Sequence, residues 1–257
     1  MKLLNQHLQY ANLYRNLISR DLKIRYKRSL LGVSWAFLEP IIQMTIYSIV
    51  FSYFLKVPIE DYPVFVLTGL VAWSYFSSGL VIPQSMIRDN AALIKKIYFP
   101  REILPLASLM GRAVHYWVSL LVLIPFLVYF DVPFRIELLY LPLLFLVQTL
   151  FMAGIVLMLT PLNTLYDDIG FLTDFTIRAL FYLSPVVYPS SMVPENFRPL
   201  FDLNPMSILI EAYRDIILYG NAPDLLKILI LSGISLALMS FGLWIFHRVQ
   251  AKFAEVL

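Results

Sequence analysis

The sequence predicts an all-α, polytopic membrane protein with six transmembrane helices. The chain is 60% hydrophobic and only 14% charged, with a mean hydropathy of +0.74, whereas a soluble domain carries about 25% charged residues. Six stretches are long and apolar enough to cross a hydrocarbon core of about 30 Å, which takes roughly 20 helical residues. Helices are expected because a backbone exposed to lipid must satisfy its hydrogen bonds internally, and the alternation of a membrane barrel is absent.

The chain is expected to form one transmembrane domain over residues 1–257, which includes an interfacial helix at residues 8–28. In that helix Tyr10, Tyr14, Ile18, Leu22 and Tyr26 repeat every fourth residue, and basic side chains occupy the other faces. Such a helix suits the headgroup layer, where it can anchor to lipid, dock a partner protein, or do both. The six predicted spans are residues 35–55, 64–83, 104–130, 138–159, 169–187 and 225–246.

The basic residues outside the spans predict the orientation. Thirteen of them lie in the N-terminal region, the second connection and the C-terminal tail, whereas four lie on the other side: Lys56, Arg135, Arg198 and Arg214. The positive-inside rule therefore places both termini in the cytoplasm. Basic residues before a first span are typical of topogenic signals, and no nucleic-acid partner is expected.

Two connections have helical patterns of their own. Residues 87–101 predict a short amphipathic cytoplasmic helix over 90–98, which Asp89 or Asn90 can cap and Phe99-Pro100 ends. This helix is either an ordinary surface element or a contact for another protein. Residues 188–224 are too polar to span and too apolar for a solvated linker. They predict short external helices, one of them over 206–219, that form a re-entrant or gate segment against the outer mouth.

Ionisable residues inside predicted spans are functional hypotheses by default, because their burial in lipid is costly. Glu39 should face protein or a water-filled path. Asp174 and Arg178 stand one turn apart in the favourable acid-first order, and they can simply neutralise each other. Arg112 can extend to the cytoplasmic interface, and His115 alone is more typical of a structural histidine than of a ligand.

No motif for catalysis or nucleotide binding is present. The chain has no P-loop, no H-E-x-x-H, no G-x-S-x-G, no cysteine and three histidines. Asp167-Asp168 lacks the companion acids of a Mg²⁺ site, and capping of a following helix explains the pair more simply. We therefore predict no catalytic residue, no metal site and no cofactor in this chain.

Four segments carry a resemblance to a known family. RDLKIRYKRSLLGVSWAFLEPIIQM (20–44) resembles the N-terminal signature of membrane subunits of polysaccharide-exporting ABC transporters. Further similar segments follow in order: KKIYFPREILPLASL (95–109), LNTLYDDIGFLTDFTIRALFYLSPVVYP (162–189) and LNPMSILIEAYRDIILYG (203–220). The resemblance covers nearly the whole chain and is closest to O-antigen permeases, with capsule and teichoic-acid permeases also similar.

The resemblance implies a homodimer joined to two copies of a cytoplasmic ABC ATPase, which would hold ATP and Mg²⁺. It implies that the 90–98 helix contacts that ATPase through Asn90, Leu93, Ile94, Lys95, Lys96, Ile97 and Tyr98. The expected substrate is a polyprenyl-diphosphate-linked polysaccharide, moved from the cytoplasm to the outer face of the bacterial inner membrane.

Two further sets of residues follow from that substrate. Arg20, Lys23, Arg25, Lys27 and Arg28 lie where a diphosphate headgroup would arrive, and the guanidinium fork suits phosphate oxygens. Plain attraction to anionic membrane lipid, worth about 1 kcal/mol per basic residue, explains the same residues. A wet path lined by aromatic rings could let sugars slide; its candidate residues are Glu39, Tyr47, Trp73, Tyr75, Tyr116, Asp174, Arg178 and Tyr182.

Three other functions compete with polysaccharide export. The first is an ABC permease for drugs, small lipids or teichoic acid, which would share the helices. The second is a secondary transporter, which would need internal repeats and proton-coupled acids at midplane. The third is a membrane-embedded enzyme, which would need a cluster of acids or histidines. An ATPase encoded beside the chain would favour the ABC functions over the other two.

Overall fold

The computed structural model describes residues 10–26 and 29–253 of the chain. These residues form helices, turns and irregular segments without a strand, so the all-α class is confirmed. The helices are α1 (Ala11–Tyr26), α2 (Trp35–Tyr47, continued by a π-type turn over Ser48–Phe54), α3 (Tyr62–Leu80), α4 (Met86–Asp89), α5 (Ala91–Lys96), α6 (Ile103–Leu121), α7 (Leu123–Tyr129), α8 (Leu141–Leu165), α9 (Asp168–Tyr182), α10 (Arg198–Leu203), α11 (Pro205–Arg214) and α12 (Leu225–Val249).

Among the described residues, five helical stretches are long and apolar enough to cross a membrane: Trp35–Phe54, Tyr62–Leu80, Ile103–Tyr129, Ile136–Leu165 and Leu225–Lys252. The remaining predicted span, residues 169–187, corresponds to α9, whose 15 residues extend about 22 Å at 1.5 Å per residue. That length is short of a hydrocarbon core of about 30 Å. The polytopic all-α architecture is confirmed, and the count of six spans stays a prediction.

The early end of α9 has a local cause. Pro185 disfavours helical backbone in the residue before it, and the helix ends with Leu183 as its C-cap, immediately before Ser184. The chain then turns, and Val186 and Val187 are buried against the bundle. Residues 183–187, which the apolar run placed inside the predicted span, therefore lie outside the helix. Residues 184–224 are called the outer segment below.

Helix α3 lies at the centre of the bundle. It is apolar on all sides, and 15 of its 19 residues are buried, as expected for a helix surrounded by other helices. Two buried polar contacts link α3 to α8: the Tyr75 hydroxyl lies 2.9 Å from that of Thr149, and the Gln148 side chain donates to the Ala72 carbonyl over 2.8 Å. The same Gln148 accepts a hydrogen bond from Tyr213 of α11 over 3.1 Å.

Small residues allow α8 and α12 to approach closely. A Cβ atom at Gly154 would lie 2.7 Å from the backbone of both Leu238 and Met239, and a Cβ atom at Gly242 would collide with the Gly154 carbonyl. Close backbone approach through small residues is a common way to pack helices in lipid. The opposite side of α12 exposes large apolar side chains such as Leu229 and Trp244, which suits contact with lipid.

The two ends of the bundle differ. At one end, called the basic end, a hydrophobic cluster joins α1, the α4–α5 region, α6 and the C-terminal turn; its buried members include Leu17, Ile87, Phe99, Ile103 and Phe253. At the opposite end the outer segment packs over α3 and α8. There Gly220 ends the π-type turn after α11 with a φ of +64°, and Arg135 donates a hydrogen bond to the neighbouring Tyr219 carbonyl.

The α8–α12 contact yields a prediction about stability. Gly154→Ala should lower the free energy of unfolding by about 1–3 kcal/mol, since the added methyl group overpacks the helix contact. Gly233→Ala on α12 is the matched control, because a Cβ atom there meets nothing within 4 Å. The measurement is unfolding of both variants in mixed micelles; equal stability of the two variants would contradict the packing described here.

Candidate functional site

At the basic end, α1 is tied to two other elements by charged side chains. The Arg20 guanidinium donates to the Asn90 side-chain oxygen over 2.8 Å, and the Ser108 hydroxyl of α6 donates to the Asp21 carboxylate. Arg20 and Asp21 also pair with each other at 3.2 Å. These contacts join α1 both to α6 and to residues 86–98, called the α4–α5 segment below.

Asn90 stands at the N-cap of α5, but its side chain does not cap the helix. The predicted capping by Asn90 is therefore wrong. Its amide instead accepts from Arg20 and donates to the Met86 carbonyl over 2.8 Å, and the residue is buried. Asp89 accepts a hydrogen bond from the Ser85 hydroxyl over 2.5 Å.

The α4–α5 segment also contacts the start of α9. The Arg88 guanidinium lies 2.6 Å from the Asp167 carboxylate and donates to the Thr164 carbonyl over 3.3 Å. Asp167 occupies the N-cap position of α9 without a side-chain cap hydrogen bond, so its pairing with Arg88 replaces the capping role expected from the sequence. The segment thus lies between α1 and the corner that joins α8 to α9.

The seven residues predicted to contact an ATPase divide into two groups. Asn90, Leu93 and Ile94 are turned toward α1 and the basic-end cluster. The other four are exposed, with Tyr98 97% and Ile97 54% exposed beside Lys95 and Lys96. Those four residues border a shallow cavity of about 330 Å³ that also includes Arg101. Contact with an ATPase stays a prediction for all seven.

A second polar group at the basic end was missed by sequence reasoning. The buried Glu102 carboxylate lies 3.2 Å from His247 of α12. Burial raises the pKa of Tyr14 to about 12, and the nearby Glu102 charge adds to that effect. Arg101 donates to the Gln250 carbonyl over 2.8 Å. No pattern in a single sequence connects Glu102 with His247 or Arg101 with Gln250, because the members of these two pairs are 145 and 149 residues apart.

The predicted headgroup residues are only partly described. Lys23 is exposed on α1, whereas Arg20 is engaged by Asn90 and Asp21. Lys27, Arg28 and the side chain of Arg25 lie outside the described residues. Beside Arg20 lies a cavity of about 450 Å³ between α1, residues 81–90 and α6. Headgroup binding stays a prediction.

The predicted path residues do not share one surface of the subunit. Trp73, Tyr75 and Tyr116 are buried within the bundle, where the rings of Tyr75 and Tyr116 lie 5.0 Å apart. Tyr47 is half-buried against Phe181. The exposed members are Glu39, Arg178 and Tyr182, and Asp174 is half-buried.

One face of α9 is exposed and aromatic. Phe171, Phe175 and Tyr182 are 75%, 71% and 70% exposed, and the exposed Arg178 lies between them on the same face. The four residues have the spacing i, i+4, i+7 and i+11, so they form a continuous stripe. Sequence reasoning named Arg178 and Tyr182 but missed Phe171 and Phe175, which the same helical spacing would have found.

At the opposite end a buried arginine holds the outer segment to α3. The Arg214 guanidinium lies 3.5 Å from the centre of the Phe65 ring and donates to the Val186 carbonyl over 2.7 Å. Burial lowers the pKa of Arg214 to about 9, so the group stays protonated at neutral pH. A Cβ atom at Gly69 would lie 2.9 Å from this guanidinium, so the contact requires glycine there.

Comparison with known proteins identifies the family. The model of the ABC-2 type transporter family matches residues 12–218 of the chain. The chain belongs to the ABC-2 type transporter family. Family membership and the five apolar helices together make it a multi-pass membrane transport protein.

Three relatives illustrate the similarity of this ABC-2 type transporter to characterised proteins. An O-antigen export system permease protein RfbA from Klebsiella pneumoniae is 33% identical over 241 residues, which cover 93% of this chain and 92% of the relative. A protein of the same name from Myxococcus xanthus is 30% identical over 258 residues and 99% of each chain. The polysialic acid transport protein KpsM from Escherichia coli is 22% identical over 90% of this chain and 91% of its own length.

The contact between Arg20 and Asn90 yields a second prediction. Arg20→Ala and Asn90→Ala should each increase trypsin cleavage after Lys96 roughly fivefold, because loss of a partly exposed charged hydrogen bond costs about 1 kcal/mol. Lys23→Ala, an exposed change on the same helix, should leave cleavage unchanged. The measurement is the cleavage rate of the full chain in lipid nanodiscs. Equal acceleration by Lys23→Ala would show that the Arg20–Asn90 contact does not protect the α4–α5 segment.

Proposed function

We propose that this chain is the membrane subunit of an ATP-driven exporter of polyprenyl-diphosphate-linked polysaccharide of the O-antigen type. One observation carries the proposal: proteins named as O-antigen export permeases are 30–33% identical to this chain over more than nine-tenths of its length. The substrate moves from the cytoplasm to the outer face of the bacterial inner membrane. Both termini lie in the cytoplasm, in keeping with the basic end of the bundle.

The proposed energy source is a separate ABC ATPase. The chain lacks a P-loop, so ATP is hydrolysed on the partner, which also holds Mg²⁺. Two ATPase subunits bind a homodimer of this chain, each against an exposed Tyr98 and its neighbours. Closure of the ATPases presses on the α4–α5 segment, and the Arg20–Asn90 and Arg88–Asp167 contacts transmit that movement to α1 and α9.

The proposed translocation path runs along the exposed stripe of α9. In a homodimer two such stripes face one another, and their aromatic rings stack on sugar faces without binding them tightly. Arg178 in the middle of the stripe supports a wet path, because a charged side chain is costly when it faces lipid. Trp73, Tyr75 and Tyr116 reach this path only if the helices rearrange, since they are buried in the single subunit.

The basic stretch on α1 is proposed to receive the diphosphate headgroup. Lys23 is exposed, and Arg25, Lys27 and Arg28 follow it in the sequence. Arg20 contributes indirectly, because its contact with Asn90 links headgroup arrival to the α4–α5 segment. A headgroup that binds the basic stretch in only one conformation of the transporter would shift the equilibrium toward that conformation.

The decisive experiment measures ATP hydrolysis by this chain co-purified with its candidate ATPase in lipid vesicles. Turnover is compared with and without polyprenyl-diphosphate-linked polysaccharide. A stable complex whose turnover responds to the glycolipid supports the proposal. A stable complex that ignores it points to a permease for drugs, small lipids or teichoic acid, and no complex at all reopens the secondary-transporter and enzyme hypotheses.

Tyr98 provides a third prediction. Tyr98→Ala should weaken binding of the ATPase subunit about 30-fold, as expected when an aromatic anchor at an interface is removed, and should leave the stability of the chain unchanged because the side chain is 97% exposed. Tyr129→Ala is the matched control, since Tyr129 is 79% exposed beyond α6 at the other end of that span. Binding is measured by titration of purified ATPase onto nanodiscs; equal affinity of the two variants would place the ATPase contact elsewhere.

A further inference from the structure

The outer segment contains a polar cavity that is separate from the α9 stripe and from the basic end. Its volume is about 400 Å³. Helix α10 contributes Arg198 and Asp202, and α11 contributes Ser207 and Glu211, in each case one turn apart on one helix face. The 3-10 turn Ser190–Met192 closes the cavity with serine hydroxyls.

Ser207 lines this cavity and carries a hydroxyl that is unpaired within the described residues. Ser207 is only 3% exposed, and its hydroxyl has no hydrogen-bond partner among the residues that the structure describes. Buried hydroxyls are nearly always hydrogen-bonded, because an unsatisfied one costs about 1–3 kcal/mol. The hydroxyl has less than 1 Å² of exposed surface, so it would pair with a molecule in the cavity after a rotation of its side chain. The exposed Asp202 and the half-buried Glu211 are accessible to such a molecule without that change.

The charges in the cavity select the class of ligand. Two carboxylates, those of Asp202 and Glu211, line the cavity together with one guanidinium, that of Arg198, so an anion is disfavoured. A metal ion is also disfavoured, since no group of three or more metal-binding residues exists in the described parts of the chain and Arg198 contributes a positive charge. Carboxylates only accept hydrogen bonds and guanidinium only donates them, which suits a neutral molecule with several hydroxyl groups.

An aromatic ring adds an apolar surface to this polar set. Phe201 lines the cavity beside Asp202, is half-buried, and lies 6.1 Å from the ring of Tyr188. A pyranose ring has one apolar face of C–H groups and an edge of hydroxyl groups, so it matches a ring flanked by carboxylates. Pockets of this kind combine an apolar wall with a few polar groups that fix orientation.

Helix α11, which forms one wall of the cavity, is fixed at both of its ends. The Asn204 side chain caps α11 through the Met206 amide and donates to both the Leu183 carbonyl and the Ser184 hydroxyl. Arg214, one turn beyond Glu211, fixes α11 to α3 through Phe65. A cavity that is formed before binding avoids the entropic cost of ordering its walls.

We propose that this cavity binds one neutral pyranose residue of the polysaccharide on the outer face of the membrane. The inference rests on the proposed function, since the exported chain supplies the sugar. The site retains a sugar residue after it has left the membrane, and it distinguishes neutral sugars from acidic ones through the excess of carboxylates.

The absence of cysteine from the chain allows a direct test. Ser191→Cys places a single thiol at the cavity, and Ala222→Cys places one on an exposed part of the outer segment that does not line it. Each variant is assembled with its ATPase in vesicles and labelled from outside with a membrane-impermeant maleimide. The probes are the methyl glycosides of mannose, galactose and glucose, with methyl glucuronide and Ca²⁺ tested separately.

At ten times its Kd, a neutral glycoside should slow labelling of Ser191→Cys about tenfold and leave Ala222→Cys unchanged. Adding Asp202→Asn or Glu211→Gln to Ser191→Cys should abolish protection, whereas Glu195→Gln, an exposed change outside the cavity, should preserve it. Three outcomes would overturn the proposal. The first is protection by Ca²⁺ alone or by the glucuronide alone, the second is protection that survives both carboxylate changes, and the third is no protection by any neutral glycoside.

A second readout separates this inference from the proposed function. Surface polysaccharide is measured in cells that carry the unmodified chain or no chain. Protection in vesicles together with surface polysaccharide that does not depend on the chain would retain the sugar site and reject O-antigen export. Export that depends on the chain, without protection by neutral glycosides, would reject the sugar site and retain the proposed function.

Discussion

The burial of α3 is the constraint on which the rest of the bundle depends. Because α3 is apolar on every side, it is stable only when other helices surround it, and α2, α6, α8 and α11 do so. The polar atoms that this burial removes from water are paired: Tyr75 with Thr149, and the Ala72 carbonyl with Gln148. Gln148 also binds Tyr213, so a single amide connects the central helix to the outer segment.

The two ends of the bundle are built on opposite principles. At the basic end, partly exposed polar contacts connect short elements: Arg20–Asn90 links α1 to the α4–α5 segment, and Arg88–Asp167 links that segment to the start of α9. At the opposite end a buried guanidinium is sandwiched between Phe65 and the Val186 carbonyl. Exposed ion pairs contribute about 0–1 kcal/mol each, so a pair such as Arg88–Asp167 can break at low cost, while the buried hydrophobic cluster holds the elements of the basic end together.

Much of the fold could be predicted from the sequence, because apolar runs and helix-ending signals are local. Residues 206–219 begin after Asn204-Pro205 and end at Gly220, and Asn204 caps the helix there. The early end of α9 was missed although Pro185 signals it, since the apolar run continued past the proline.

The candidate site was less predictable from the sequence than the fold. Arg88–Asp167 and Glu102–His247 join residues that are 79 and 145 positions apart, and no pattern in one sequence connects them. The burial of Trp73, Tyr75 and Tyr116 likewise depends on which helices surround α3.

The buried Arg214 also limits how the outer end of the protein can open. Lifting the outer segment away from α3 would separate the Arg214 guanidinium from the Phe65 ring, and a desolvated cation–π contact of this kind is worth about 2 kcal/mol. By mass action a cost of about 2 kcal/mol would limit the lifted form to about one molecule in thirty. The outer segment therefore stays seated on α3 in most molecules. Any aperture beside it must form by displacement of a whole subunit or of the loosely packed α9, and its width is then set by how far those rigid bodies separate.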